Sequence, residues 1–311
     1  MPIELALLGC THPHLPDLLG VIASEPDLRL AAAWDADRAA VPGQIATHAV
    51  RDLDTAIRRA DAVVVCVPTD QRPDVCARAA RAGRPILVES PLARTAAEAR
   101  GLAREIRRSR TPAYTVLFLR ELPALARLRG VLRANLLGRL SAVSASYLQD
   151  GAVRGTFAGS AAWMQDPRRA GVGGLAQLGI HLVDALALLS ALPRISAVSL
   201  DCRAAGRVDL GGAAVGTWIG VPLTLRTSWI ARPGGVELTI NGARASAILR
   251  DGALELVADN GTPERWVGPP PDAGESLRAF AGRLRTRRLD LRGLERAIGA
   301  QEVIEQAVIV D

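Results

Sequence analysis

The amino-acid sequence contains no lysine: all 38 cationic side chains are arginines, and they give the chain a net charge of +6. Arginine stays protonated near neutral pH, so none of these side chains can accept a proton in a reaction. Any mechanism that requires a lysine base is therefore excluded. Histidine, with an ordinary pKa of about 6.5, is the side chain suited to reversible proton transfer, and the chain has four histidines.

Aromatic residues are also scarce, at 3% of the chain. The arginines therefore lack the interleaved rings on which nucleic-acid bases stack, and no DNA-binding motif is visible. We expect no nucleic-acid partner. No uncharged apolar run reaches the roughly 18 residues that a membrane span requires, so we expect no membrane partner either.

The four cysteines, Cys10, Cys66, Cys76 and Cys202, show no C-x-x-C spacing. They are expected to be reduced, partly buried thiols. The first residues form an apolar stretch typical of a strand and lack the basic segment of a secretory signal, which predicts a cytoplasmic location.

The hydrophobic fraction is 49%, enough over 311 residues for two domains with a large core. In the first 120 residues, continuous apolar strands alternate with helices, a pattern typical of a parallel sheet covered on both faces. Five strands are predicted, at 3–8, 28–34, 62–67, 85–88 and 113–119. Residues 1–120 are therefore predicted to form an α/β domain whose ligands bind beyond the carboxyl ends of the strands.

Residues 121–311 follow a different pattern. From Ile195 onward, short strands alternate with turn signals such as Asn-Gly and Asp-Gly. This pattern predicts a second, α+β domain with an open, mainly antiparallel sheet. Two helices, at 273–285 and 292–309, are predicted to close the chain, and the last is expected to pack back on the first domain.

The turn after the first strand occupies the place of a dinucleotide-binding loop. Against the pattern G-x-G-x-x-G, only Gly9 is retained, and Thr11 and His14 stand at the other glycine positions. Asp35 follows the second strand, where an acid would hydrogen-bond the ribose of NAD. Taken alone, the loop also fits an ordinary strand–helix turn.

His12 and His14 in this turn are a conceivable metal pair. Pro13 between them is expected to splay the two rings, and no third ligand lies nearby in the sequence. We therefore expect loop-capping roles for both histidines and no metal site.

A glycine cluster at 171–174 leads into a helix whose leucines recur at helical spacing and should face a core. Gln177, His181 and Asp184 stand at i, i+4 and i+7, so they share one polar arc. The preceding glycines would let a backbone or a ligand come close. This stretch predicts the floor of a small-molecule site, the alternative being that His181 only satisfies a core.

The chain resembles the Gfo/Idh/MocA family, which includes glucose–fructose oxidoreductase and inositol dehydrogenase. The resemblance covers essentially the whole chain and includes residues 82–91 and Gly138-Arg139-Leu140. Its most specific part runs from Trp163 to Asp184, which is similar to the family element G-G-G-x-L-x-D-x-G-x-H-x-x-D. The resemblance implies a Rossmann-type first domain, NAD or NADP as cofactor, and hydride transfer to or from a sugar-like or other small polar substrate. It also implies a homodimer or homotetramer joined through the open sheet.

The site residues follow from the resemblance and from their places at the predicted strand ends. The cofactor-binding positions are Gly9, Thr11, His12, Pro13, Asp35, Pro68, Thr69, Glu89 and Ser90. The substrate-binding candidates are Arg120, Tyr147, Trp163 and His181. Arg120 could instead pair with Glu121 or Glu89, and the two aromatic residues could simply fill an interface.

Three departures from the family pattern fall on chemical positions. The family's Glu-Lys-Pro is Glu89-Ser90-Pro91 here, so the usual catalytic lysine is absent. Gln177 stands where an acid normally precedes the histidine, and the dinucleotide glycines are thinned. His181 is then the predicted acid/base, with Gln177 orienting its ring or Asp184 supplying a carboxylate.

Two other functions stay open. Three departures at chemically distinct points favour a catalytically degenerate member that acts as a sensor, a scaffold or the partner of an active paralogue. A lyase or glycosidase that uses bound NAD transiently, as some relatives of the family do, is the other alternative.

Overall fold

The structure is a computed structural model and describes residues 1–202, 206–258, 263–288 and 291–309. Its internal contacts divide the chain into two compact units. The first unit comprises Met1–Leu117, Thr156–Gly171 and Asp272–Ile298, and the second comprises Phe118–Gly155, Val172–Pro271 and Gly299–Asp311. Compared with the predicted division at residue 120, the first unit also takes in two segments from the second half of the chain.

A five-stranded parallel sheet forms the centre of the first unit, as predicted. Its strands are β1 (Ile3–Leu8), β2 (Leu28–Trp34), β3 (Ala62–Val65), β4 (Ile86–Glu89) and β5 (Ala113–Val116). They pair in the order β2-β1-β3-β4-β5. Every residue of β3, β4 and β5 is buried, which explains their unbroken apolar sequences.

Helices connect these strands and cover the sheet. They are α1 (Leu15–Ser24), α2 (Leu53–Arg58), α3 (Arg72–Arg81) and α4 (Ala96–Arg108). The first turns of α2 and α4 are capped by side-chain oxygens, since Asp52 accepts from the N–H of Thr55 and Thr95 accepts from that of Glu98. The late helix α8 (Ala273–Arg285) also belongs to this unit, where Arg278 pairs with Glu25 at 2.8 Å.

An eight-stranded sheet forms the second unit. Its strands are β6 (Leu140–Leu148), β7 (Arg194–Leu200), β8 (Gly211–Trp218), β9 (Val221–Ser228), β10 (Gly235–Gly242), β11 (Ala245–Arg250), β12 (Ala253–Ala258) and β13 (Glu264–Val267). Their order is β13-β12-β11-β10-β6-β9-β8-β7. The β6–β9 pair is parallel and the other six pairs are antiparallel. The predicted open, mainly antiparallel sheet is confirmed.

The helices α5 (Pro123–Arg133) and α7 (Gly174–Leu189) belong to this unit, and the short α6 (Pro167–Ala170) belongs to the first. The segment Pro167–Leu189 is long and apolar enough to cross a membrane by length and composition alone, which the sequence reading did not anticipate. However, 83% of its apolar window is buried inside the protein. Burial on all sides explains why the helix is apolar around most of its circumference.

Three local assignments differ from those predicted. Strand β5 ends at Val116, and a 3₁₀ helix at Phe118–Glu121 follows it, so the apolar run to 119 is not all strand. Strand β13 was not predicted, because its sequence Glu-Arg-Trp-Val does not alternate and it forms an exposed sheet edge. The last helix, α9 (Arg292–Ile309), has its first turns in the first unit, where Glu295 pairs with Arg107, and its later turns in the second.

Candidate active site

The predicted cofactor positions of the first unit lie at the carboxyl ends of its parallel strands. Gly9 directly follows β1 and has a φ of +97°. A Cβ at this position would lie 2.6 Å from the carbonyl carbon of Cys66, just beyond β3. Only glycine therefore fits the turn, which keeps the tight strand–helix connection of a dinucleotide loop.

Two histidines of the same turn contact a buried carboxylate at the end of β4. Nδ1 of His14 lies 3.1 and 3.2 Å from the two carboxylate oxygens of Glu89, and Nδ1 of His12 lies 3.5 Å from the nearer one. Glu89 is completely buried and His12 is 6% exposed. We refer to His12, His14 and Glu89 as the histidine–glutamate cluster.

The charges within this cluster support one another. Burial alone would raise the pKa of Glu89, but the charges of His12, His14 and Arg72 and the hydrogen bond from His14 lower it to about 2. For His14, burial lowers the pKa, and the charge and hydrogen bond of Glu89 outweigh it and raise the pKa above its ordinary value. The carboxylate is thus ionised under physiological conditions.

The cluster corrects the prediction for the two histidines. Pro13 does not splay the rings beyond reach of one another, since their centroids are 4.7 Å apart. The third ligand-type side chain, Glu89, comes from 75 positions further along the chain. The carboxyl ends of all strands in a parallel sheet lie at the same edge, so residues after β1 and at the end of β4 can meet although β3 lies between the two strands.

Other predicted cofactor residues retain hydrogen-bonding capacity. The hydroxyls of Thr11 and Thr69 are buried and have no partner among the residues that the structure describes. The carboxylate of Asp35 accepts the N–H groups of Cys10 (2.7 Å) and Asp37 (2.9 Å), which fixes it beside the turn after β1. Each of its oxygens has room for a further donor such as a ribose hydroxyl.

Trp163, predicted as a substrate-binding residue, lies in the first unit against the same turn. Its indole N–H is directed at the carbonyl of Thr11 at 3.5 Å, and its ring lies 6.0 Å from that of His12. The completely buried guanidinium of Arg72 faces the indole ring at 5.7 Å and donates to the carbonyls of Val67 and Pro91.

In the second unit, backbone atoms of another segment, and not a ligand, fill the space beside the glycines at the start of α7. A Cβ on Gly173 would lie 2.6 Å from the backbone nitrogen of Asp209, and one on Gly174 would lie 2.7 Å from the carbonyl carbon of Leu210. The Asp209 carboxylate accepts the N–H of Leu175 at 2.7 Å and thereby caps the helix. Burial raises the pKa of Asp209 and its backbone hydrogen bonds oppose this rise.

The three polar residues of the predicted arc are all buried on α7, but their partners differ from those expected. Asp184 forms a two-pronged ion pair with Arg120, with both N–O distances 2.6 Å and side chains only 1% and 3% exposed. Arg120 thus pairs with Asp184, a partner that the sequence did not suggest. Both oxygens of Asp184 go to Arg120 rather than to His181.

Gln177 likewise does not orient His181 through its amide nitrogen. That nitrogen donates to the carbonyl of Val172 at 3.1 Å and so braces the loop before α7. The ring of His181 instead packs against two aromatic rings, that of Phe118 at 4.5 Å and that of Tyr147 at 5.8 Å between centroids. His181 is 4% exposed, so its imidazole lies in an aromatic pocket.

The sequence reading missed Phe118, Arg72 and Asp209. Phe118 looked like the end of a strand, whereas it sits in the 3₁₀ turn that follows β5. Nothing in the sequence distinguished Arg72 from the many surface arginines except its position just after a predicted strand end, where ligands bind in parallel sheets. Nothing in the sequence linked Asp209 to the glycines, since the contact joins segments 34 residues apart.

Comparisons with known proteins agree with this division. Residues 5–116 match the model of an oxidoreductase family with an NAD-binding Rossmann fold. Residues 125–248 match the model of the GFO/IDH/MocA C-terminal domain. The chain belongs to the GFO/IDH/MocA oxidoreductase family. No sequence among the curated proteins gives a significant match.

Solved structures share the fold at low sequence identity. The chain is similar to KijD10, a 3-ketoreductase from Actinomadura kijaniata solved with TDP-benzene and NADP (18% identity, 99% and 98% of the two chains covered, TM-score 0.81). It is also similar to an inositol dehydrogenase homologue with NAD⁺ from Azotobacter vinelandii (17%, 99% and 95%, 0.84). A levoglucosan dehydrogenase with NADH and levoglucosan matches at 15% identity (99% and 96%, 0.82).

Proposed function

We propose that this chain is an NAD(P)-dependent oxidoreductase that transfers a hydride to or from a sugar-like or other small polar substrate, with His181 as its acid/base. The observation that carries the proposal is the buried imidazole of His181 on α7, held against Phe118 and Tyr147. No lysine exists to take this role. Imidazole is the remaining side chain whose ordinary pKa suits reversible proton transfer.

The first unit fits a nicotinamide cofactor. Gly9 keeps the turn after β1 tight, the carboxylate of Asp35 can accept a ribose hydroxyl, and the hydroxyls of Thr11 and Thr69 can bind polar groups of a dinucleotide. Ser90, which follows Glu89 at the end of β4, adds another hydroxyl. The cofactor, when bound, supplies the hydride acceptor or donor. Asp35 favours NAD by repelling a 2′-phosphate, whereas Arg38 nearby would suit NADP.

In this proposal His181 takes the hydroxyl proton when the substrate is oxidised and returns it when the carbonyl is reduced. The apolar rings beside it limit the access of water, and Tyr147 offers a hydroxyl near the imidazole for contact with substrate. The cation of Arg120 is held by Asp184. Arg120 therefore contributes mainly to the position of α7, and its role in binding a substrate anion stays a prediction.

A sugar-like substrate and a homo-oligomer are part of the same proposal. The neighbouring structures solved with a TDP ligand, as an inositol dehydrogenase homologue and with levoglucosan support the substrate class. For assembly, the sheet of the second unit has alternating exposed positions, such as Thr224 and Arg226 on β9, beside Val215 on β8. This exposed face suits a homodimer or homotetramer.

The test is turnover by the purified chain with NAD or NADP and a panel of polyols and sugars, and with NADH or NADPH and the corresponding ketones. His181→Asn should lower kcat by about 10²–10⁴-fold, the usual contribution of a general acid/base. The matched control is His48→Ala, which removes a histidine from a 3₁₀ helix far from α7 in sequence. Equal turnover by wild type and His181→Asn would rule out the assigned role.

The second candidate is a catalytically inactive family member. It is favoured by the polar groups near His181 that are engaged elsewhere, namely Asp184 with Arg120 and Gln177 with Val172. This candidate predicts that cofactor or ligand binds without turnover on any substrate. The lyase or glycosidase alternative predicts tightly retained cofactor and product formation without net release of NADH.

A further inference from the structure

The histidine–glutamate cluster has the side chains and spacing of a metal-binding site. His12, His14 and Glu89 each offer one ligand-type atom, and these atoms lie within 4.8 Å of one another. Two imidazole nitrogens and one carboxylate oxygen form a donor set that zinc accepts in proteins, with a fourth position open to water. The set is richer in nitrogen than sites for Mg²⁺ or Ca²⁺, which prefer oxygen ligands.

The observed distances fit a tetrahedral ion. Zinc binds these ligands at roughly 2.0–2.2 Å, which places neighbouring ligand atoms about 3.4 Å apart. Here Nδ1 of His14 is 3.1 Å and Nδ1 of His12 is 3.5 Å from the same oxygen of Glu89. These two distances lie on either side of the tetrahedral value, and all three ligand atoms lie within 4.8 Å of one another, so an ion could be bound after a rearrangement of the two histidine rings.

Coordination would replace hydrogen bonds that the cluster now forms. Nδ1 of His12 accepts the backbone N–H of His14 at 3.2 Å, so this nitrogen is unprotonated, and an ion would have to displace that N–H from its single lone pair. In the metal-free form, Nδ1 of His14 contacts both oxygens of Glu89. Binding of a cation would release the proton of this hydrogen bond to solvent, and Nδ1 of His14 and a Glu89 oxygen would then both bind the ion.

Rigid elements hold the three residues in place. Glu89 ends β4, which is paired with β3 on one side and with β5 on the other, and it is completely buried. His12 and His14 lie in the turn fixed by Gly9, directly before α1. The positive charge of Arg72 disfavours a metal cation nearby. Its guanidinium donates to the carbonyls of Val67 and Pro91 and faces Trp163, and these contacts hold it in place.

We propose that His12, His14 and Glu89 form a Zn²⁺ site that fastens the turn after β1 to the end of β4. The proposal does not depend on the proposed oxidoreductase activity. The site lies within the first unit, and its occupancy can be measured without substrate or nicotinamide cofactor.

The experiment is a titration of the chelator-treated full chain with Zn²⁺ in competition with a chromophoric chelator, followed by metal analysis after gel filtration. Wild type should bind one Zn²⁺ per chain and melt at a higher temperature with zinc than with EDTA. Mg²⁺ at the same concentration should have neither effect.

The variants His14→Ala and Glu89→Gln should bind Zn²⁺ at least about 100-fold more weakly, since even outer-shell partners of a metal cost roughly 10–100-fold in affinity. His48→Ala, which removes a histidine outside the cluster, should bind like wild type. Glu89→Gln keeps the volume of the side chain, and circular dichroism of each variant verifies its fold.

Co²⁺ provides a readout that does not depend on stability. Bound at the cluster of wild type or His48→Ala, it should give the intense visible absorption of a tetrahedral ion, and Glu89→Gln should lose this absorption. Wild type that binds no Zn²⁺, or variants that bind it as tightly as wild type, would overturn the site. Nicotinamide cofactor titration of the same samples reports separately on the proposed function.

Discussion

The two units satisfy their buried charges in different ways. In the second unit, Arg120 and Asp184 form a closed pair with two hydrogen bonds of 2.6 Å, and Gln177 binds a nearby backbone carbonyl. In the first unit, Glu89 is held by two histidines, which can lose their protons or bind a metal. Charged groups that are fully paired with each other stabilise the fold, whereas the two histidines beside Glu89 retain the capacity to exchange protons.

The Arg120–Asp184 pair belongs to the fold. It joins the 3₁₀ turn after β5 to α7 and leaves the imidazole of His181 as the titratable group beside the aromatic rings. The strand ends of the first unit, in contrast, carry the buried hydroxyls of Thr11 and Thr69, which have no partner within the described ranges. In the proposed function, the first unit binds the cofactor and His181 of the second unit transfers the proton.

The largest expected effect comes from breaking the closed pair. Asp184→Asn keeps the shape of the side chain but leaves the guanidinium of Arg120 buried without its counter-charge. We expect the free energy of unfolding to fall by about 3–5 kcal/mol, measured by urea denaturation. The control is Glu237→Gln, which breaks the exposed pair with Arg250 and should cost less than about 1 kcal/mol. Equal losses in both variants would contradict the assigned structural role.

The next effect concerns the turn of the first unit. Gly9→Ala places a Cβ against the backbone of Cys66 at a φ of +97°, so we expect a loss of about 2–4 kcal/mol in unfolding free energy. Gly20→Ala is the control, because no atom lies within 4 Å of its added Cβ and the residue is in α1. That variant should be neutral or more stable by up to about 1 kcal/mol. A harmless Gly9→Ala would show that the turn is not constrained as described.

A smaller effect is expected when the charge at position 177, one helical turn before His181, is changed. Gln177→Glu introduces a carboxylate one helical turn before His181, where the resemblance to the family expects an acid. The negative charge stabilises the imidazolium, so the acidic limb of the pH–rate profile should move upward by about one pH unit. Gln177→Met, which has no charge, should leave the position of that limb unchanged. A downward movement in Gln177→Glu would place another group in control of the rate.

The smallest expected effect is that three buried cysteines are not alkylated in the native chain. Burial, together with the charge of Asp35, raises the pKa of the Cys10 thiol to about 12. Burial also raises the pKa of the Cys76 thiol to about 12 and raises the pKa of the Cys66 thiol well above its ordinary value. At pH 7.5–8, roughly, iodoacetamide should modify only the exposed Cys202 in the native chain, because the thiolate is the reactive form. Mass spectrometry counts the adducts, and denatured chain should take up four. Rapid modification of a second thiol in the native state would mean that the first unit opens.

The fold was predictable because its signals are local. Unbroken apolar strands predicted the parallel sheet, and the turn signals after Ile195 predicted the antiparallel one. Strand β13 escaped notice because an edge strand needs no alternating pattern, and the 3₁₀ turn at Phe118 because its residues are as apolar as a strand.

The site was predictable only in its residue types. The arc of Gln177, His181 and Asp184 on one helix follows from spacing, and all three are buried on α7. Their partners do not follow from spacing, since Arg120 is 64 positions from Asp184, and Glu89 is 75 positions from His14. Such long-range pairs depend on which strand ends and turns the fold brings together.

The proposed function requires that the first unit binds a nicotinamide dinucleotide despite its thinned glycines and the histidine–glutamate cluster. The direct measurement is a fluorescence or calorimetric titration of the purified full chain with NADH and with NADPH. We expect saturable binding of one nicotinamide cofactor per chain, and weaker binding when Thr11→Val removes the buried hydroxyl. Flat titrations with both cofactors, on protein shown to be folded, would rule out this binding.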